Sequence, residues 1–115
     1  NWYDTPVKRY EAINLFTKTL AQRTDNVSKK KIANKVMLSN LMKIFDEENR
    51  HIHGSGRYEG YAMREKGTLW TAYNAATYWS SHPNGKQGSP HNVKVNREDK
   101  VRKMLASPEW EALAA

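Results

Sequence analysis

Cysteine is absent from these 115 residues, so disulfides and thiolate chemistry are excluded, which suits an intracellular setting. No apolar run approaches the ~18 residues that a bilayer crossing requires, and no signal peptide is visible. Enzyme signatures are missing as well. There is no Gly-x-Ser-x-Gly elbow, no Walker-type phosphate loop and no dinucleotide fingerprint. His51-Ile52-His53-Gly54-Ser55-Gly56 is glycine-rich but lacks the Lys and Ser or Thr that complete a phosphate cradle. Strand-like alternation and internal repeats are also lacking, apart from a short piece at His91–Val95 that could be extended. Acid is scarce: 12 Asp and Glu stand against 19 Lys and Arg, a net charge of +7. A surface of that sign attracts phosphate-rich or acidic partners through salt-sensitive electrostatics, and otherwise serves only to solvate the domain.

What the chain does contain is an uncharged, aromatic-rich stretch from Gly67 to His82, with Trp70, Tyr73, Tyr78 and Trp79. A helix that is apolar nearly all round is a buried one, so this segment reads as a central rod, capped by Thr68. Other helices surround it. Thr5-Pro6 is a helix start, and Tyr10, Ile13, Phe16 and Leu20 follow at helical spacing to about Arg23. A second pattern, with Ile32, Val36, Met37, Leu41, Ile44 and Phe45, spans about Val27 to Glu47. Lys29, Lys30 and Lys31 crowd its start and Asp46, Glu47 and Glu48 its end, both charged against the helix dipole. Residues 49–67 form a glycine-rich loop with a helical turn around Tyr58–Arg64, and Pro83–Pro90 is a turn-rich linker. Asn96 opens a further helix with Val101, Met104 and Leu105 inward, and Ser107-Pro108 starts a last one carrying Trp110 and Leu113. The expected fold is all-α: one bundle of four to five helices around a central apolar helix at 68–82, with a long glycine-rich loop. The expected core includes Trp70, Tyr73, Asn74, Thr77, Trp79 and Trp110. Asn74, polar within an apolar helix, is expected to clamp the loop or the linker to that core.

The basic residues are the strongest functional candidates. Lys29, Lys30, Lys31 and Lys35 cluster at one helix end, near Lys8 and Arg9. Arg50, Arg57, Arg64 and Lys66 stud the glycine-rich loop among Tyr58 and Tyr61. Arginine beside tyrosine can grip phosphates and stack on exposed bases. Lys94, Arg97, Lys100, Arg102 and Lys103 add a basic stretch near the C-terminus. His51 and His53 would share one side of an extended segment, but two further metal ligands are not evident. Glu47, Glu48 and Glu59 form no recognisable catalytic pair. Neither a metal, a cofactor nor catalysis is therefore expected.

Gly67-Thr68-x-Trp70-x-x-Tyr73-Asn74-Ala75-x-Thr77, ending at His82, resembles the signature of a phage- and plasmid-associated family, domain-of-unknown-function family 932. The helix ending at Phe45 resembles the element preceding that family's loop, and Arg97, Val101, Leu105, Ser107 and Trp110 resemble its closing part. The resemblance covers residues 7–113 and corresponds to the C-terminal portion of longer members. Because the chain starts at Asn1 rather than Met, it is expected to be a fragment of such a protein. One departure is Tyr78-Trp79, where the family more often has an acidic residue followed by an aromatic. The family has no settled activity. Its carriage on mobile elements implies a role in DNA replication, recombination or defence in the bacterial cytoplasm. The expectation is a helical module that binds nucleic acid weakly and without sequence preference, with single-stranded DNA favoured. The alternative is an interaction domain that recruits an acidic protein partner without binding DNA. Neither involves a membrane.

Overall fold

A computed structural model describes residues 5–53, 66–83 and 90–115. In chain order its elements are β1 (Pro6–Lys8), α1 (Arg9–Thr19), β2 (Gln22–Thr24), β3 (Lys31–Ala33), α2 (Lys35–His53), β4 (Lys66–Thr68), α3 (Leu69–Ser81), α4 (Pro90–Leu105) and α5 (Pro108–Ala114). Helix dominates, as the apolar spacing predicts. Two short antiparallel ladders, β1 with β4 and β2 with β3, nevertheless correct the all-α expectation. The glycine-rich segment 54–65, with its expected helical turn, and most of the 83–90 linker lie outside the described residues.

The central rod is α3, packed against α2 and α4. Ala72, Ala75 and Ala76 are fully buried, and their small side chains let the neighbouring helices approach closely, while Leu69 and Trp79 fill the space between them. The helix is not covered all round, however. Trp70, Tyr73, Asn74 and Thr77 are half-buried and Tyr78 is exposed. Positions three and four apart share a helix face, and these residues line a face that is less deeply buried than the alanine side. Trp70 and Tyr73 stack there on each other, with ring centroids 5.7 Å apart and planes at 17°. The polar groups are satisfied within the helix itself. Asn74 Nδ2 donates to the Trp70 carbonyl at 2.9 Å, and Thr77 Oγ1 donates to the Tyr73 carbonyl at 3.0 Å. The bond Asn74 makes is thus local, to its own preceding turn. Trp79 and Trp110 are buried in the core, at 2% and 8% exposure.

Thr68 caps α3 as expected. Its hydroxyl accepts from the Thr71 amide at 3.3 Å, and its own amide donates to Thr71 Oγ1 at 3.2 Å. Thr71 takes the place of the usual Glu in a capping box, and it is fully buried. Thr68→Ala is therefore expected to destabilise the fold by ~1 kcal/mol, within a range of about 0.5–2 kcal/mol, read as a lowered urea midpoint.

The N-terminal expectations change more. Thr5-Pro6 does not start a helix, because Val7 is drawn into the core and β1 pairs with β4, placing Val7 opposite Gly67. In α1, Ala12, Leu15 and Phe16 face inward while Tyr10 is 57% exposed, off the apolar stripe. The helix closes where the amides of Leu20 and Ala21 both reach the Phe16 carbonyl, at 2.9 and 2.7 Å. Arg23 then lies in β2, not in a helix. The next helix starts at Lys35, not Val27, because Asn34 Oδ1 accepts from the Met37 amide at 3.1 Å and caps it. That helix runs to His53, so Asp46, Glu47 and Glu48 sit within it and the expected dipole penalty at its C-terminus vanishes. Arg9 instead joins Asp46 through two 3.1 Å bonds that tie α1 to α2.

At the other end, α4 begins at Pro90, well before Asn96, so His91–Val95 is helical and not extended. Proline at a first helical position sacrifices no internal hydrogen bond. The last helix forms as its sequence dictates: Ser107 Oγ accepts from the Trp110 amide at 3.2 Å, and Pro108 follows the cap.

Candidate nucleic-acid interface

Lys29, Lys30 and Lys31 occupy a β-hairpin, not a helix end. Strands β2 and β3 pair Gln22 with Ala33, Arg23 with Ile32 and Thr24 with Lys31. Asp25 organises the turn. Its amide donates to the Lys30 carbonyl at 2.8 Å, and its Oδ2 accepts from the Ser28 amide at 2.7 Å and the Val27 amide at 3.2 Å. Hydrogen bonds from the Ser28 amide, and then from its hydroxyl, hold the Asp25 carboxyl below the usual carboxylate range. Lys29 adopts φ 61°, the left-handed conformation that completes the turn. The carboxylate is thus turned onto the loop's backbone, and the tip presents cations: Lys29, Lys30 and Lys31 are all exposed, as is Val27. Lys35, also exposed, opens α2 beyond the hairpin.

A second basic element is α4. On α4 the Arg97 guanidinium lies 4.6 Å over the Trp79 ring, and its Nη1 donates to the Trp79 carbonyl at 2.9 Å. Lys100 stands one turn further along. Burial, then the nearby charges of Lys31 and Arg97, pushes the proton affinity of the Lys100 amine down. Among the described residues no carboxylate stands within ion-pair distance of Lys31 or Lys100. The remaining α4 cations differ. Asp99 holds both Arg102 and Lys103, the latter at 3.2 Å, and their bonds draw its carboxyl below the ordinary range.

The other basic candidates are dispersed. Arg50 is paired with Glu47 one turn earlier on α2, and that bond lowers the Glu47 pKa. Lys8 is exposed on β1, 6.0 Å from the Tyr10 ring. Lys66 lies in β4, opposite Lys8. Arg57, Tyr58, Tyr61 and Arg64 are outside the described residues. His51 and His53 are both on α2, so their positions fall about 200° apart around a helix rather than on one side of a strand. Among the described residues no group of three or more His, Asp or Glu side chains is placed to hold a metal ion. A shallow hollow of about 340 Å³ between α2 and α3 is lined by Lys43, Ile44, Glu47, Glu48, His51 and Tyr78. No helix is long and apolar enough to cross a membrane among the described residues.

Sequence reading alone misses the hairpin on which Lys29, Lys30 and Lys31 stand. One signal was available: Asp25 with Ser28 three residues on is turn chemistry, since an Asp side chain readily binds backbone amides further along the chain.

No family model matches the chain, and neither a curated protein nor a solved structure matches it.

Proposed function

We propose that this chain is a helical module that binds nucleic acid through its phosphates, without reading base sequence, on the face that carries the hairpin lysines. The observation that carries this reading is the hairpin tip, where Asp25 is turned onto the loop amides and Lys29, Lys30 and Lys31 stand exposed together. Grouped like charges oppose one another, and a polyanion laid across them relieves that repulsion. Lys29 and Lys30 extend the same positive field along the exposed hairpin. Single-stranded DNA is the favoured polymer. Exposed aromatic rings such as Tyr10 and Tyr78 are the kind of surface on which unpaired bases stack. The resemblance of Gly67–His82 to a phage- and plasmid-associated family is the support for a role in the DNA metabolism of a mobile element.

The test is a titration with single-stranded DNA at several salt concentrations. Affinity should fall steeply as salt rises, and replacing Lys29, Lys30 and Lys31 with serine should reduce the slope of log K against log salt by about 2, given ~0.7 per phosphate contact on a single strand. Absence of binding at low ionic strength would overturn the proposal. A discrete, lysine-dependent complex with an acidic protein, without DNA binding, would put the interaction-domain alternative in its place.

A further inference from the structure

The hairpin lysines offer charge to a strand's phosphates and nothing to its bases. A complementary feature lies on the helix that leads into the hairpin. Tyr10, Asn14 and Lys18 stand four residues apart on α1, so they share one face, and all three are exposed. They line a hollow of about 330 Å³ between α1 and α5, with Leu15 and Leu113 supplying its apolar wall. That volume is at the small end of ligand pockets and suits one planar ring system. At one end the Lys8 amine lies 6.0 Å from the Tyr10 ring centroid. At the other, Lys18 sits in the last turn of α1, and the first hairpin strand begins at Gln22 just beyond it. Roughly 12 Å of helix separates Tyr10 from Lys18, at 1.5 Å per residue. Among the described residues neither lysine is in an ion pair.

Each group matches one part of a nucleotide. The Tyr10 ring is 57% exposed, and stacking on it tolerates any sequence because every base has a π-face. The Asn14 carboxamide carries both a donor and an acceptor, a pair that the edge of any base can complement. Lys8 and Lys18 are placed to take the flanking phosphates. Two carboxylates also line the hollow: Glu109 on α5, and Glu11, which accepts from the Lys8 amide at 2.9 Å. A carboxylate repels a phosphate and accepts from a base N–H. The hollow therefore admits a base and leaves the phosphates outside, on the lysines.

We infer that the hollow between α1 and α5 is a nucleobase subsite for a single strand of nucleic acid, with Tyr10 as its stacking platform. This rests on the proposed nucleic-acid function and deepens it: the hairpin holds the phosphates, and α1 takes a base of the same strand.

The experiment compares short single-stranded DNA with a strand of equal length built from abasic residues, at one fixed salt concentration. The two carry the same phosphates and differ only in their bases. The wild-type chain should bind the base-bearing strand about tenfold more tightly, a ratio equivalent to ~1.4 kcal/mol. Tyr10→Ala should bring that ratio close to one while leaving the affinity for the abasic strand unchanged, which also shows that the variant is folded. Tyr10→Phe keeps the ring and should keep the ratio, as should Tyr78→Ala. The side-chain amide signals of Asn14 should shift in the NMR spectrum with the base-bearing strand and not with the abasic one. Equal affinity of the wild type for both strands would overturn the base subsite and leave phosphate binding by the hairpin standing. A full preference surviving in Tyr10→Ala would take the subsite away from this hollow. If neither strand binds at low salt, the proposed function fails and the subsite with it.

Discussion

Phe45→Ala is expected to lower the stability of this domain by about 3–5 kcal/mol, the range measured when a buried phenylalanine is cut back to alanine. Phe45 has no solvent exposure and meets Phe16 edge-to-face, with centroids 6.3 Å apart and planes at 76°. It therefore joins α2 to α1, and it also lies under β4, where Gly67 approaches its ring. Truncation removes the transfer free energy of the ring and leaves a cavity that three elements would have to collapse to fill. It also forfeits the aromatic pair, worth about 0.5–1.5 kcal/mol beyond buried area. Typical domains have only 5–15 kcal/mol in total, so the loss should be plain as a large fall in the urea midpoint at unchanged slope. A change below about 1 kcal/mol would show that Phe45 is not the joint between these elements.

The second large effect comes from adding atoms. Gly67→Ala should cost about 1–3 kcal/mol, at the upper end of that range, through overpacking. A methyl group at Gly67 would stand 2.8 Å from Asn49 Oδ1 and 2.8 Å from Phe45 Cζ, closer than real contacts of this kind. Neither obstacle yields readily, since Phe45 is fully buried and Asn49 is 2% exposed. Gly67 is thus needed for space: it lets β4 lie flat against α2 while it pairs with Val7. A double-mutant cycle tests the cause. Phe45→Leu should be less harmful in the Gly67→Ala background than alone, because the shorter side chain relieves part of the clash, giving a coupling of at least ~0.5 kcal/mol. Strict additivity would locate the strain elsewhere.

These two residues also show how much the sequence could convey. Phe45 is legible as core from its place on the stripe with Leu41, because a helix face repeats every three or four residues and both partners lie nearby in the chain. Gly67 is legible only as a loop glycine beside the Thr68 cap. Its need for bareness comes from Asn49 and Phe45, on a different element. The candidate site divides in the same way. That Lys29–Lys31 are basic is plain; that they stand on a hairpin depends on Asp25 binding the turn amides and on β2 finding β3. The Ile32 and Val36 spacing fits a helix equally well, which is why the helical pattern extends too far toward the N-terminus.

The sequence by itself determined the local features: the helical course of α3, its Thr68 cap, the Ser107-Pro108 start of the last helix, and the excess of positive charge. Each depends on residues within a turn or so of one another, where propensity and capping act. The tertiary structure decided the rest. It paired β1 with β4 across about half of the chain, packed α2 and α4 against α3, and joined Arg9 on α1 to Asp46 on α2. Those outcomes depend on which surfaces are buried against each other, and burial is a property of the packed whole that no stretch of sequence carries alone.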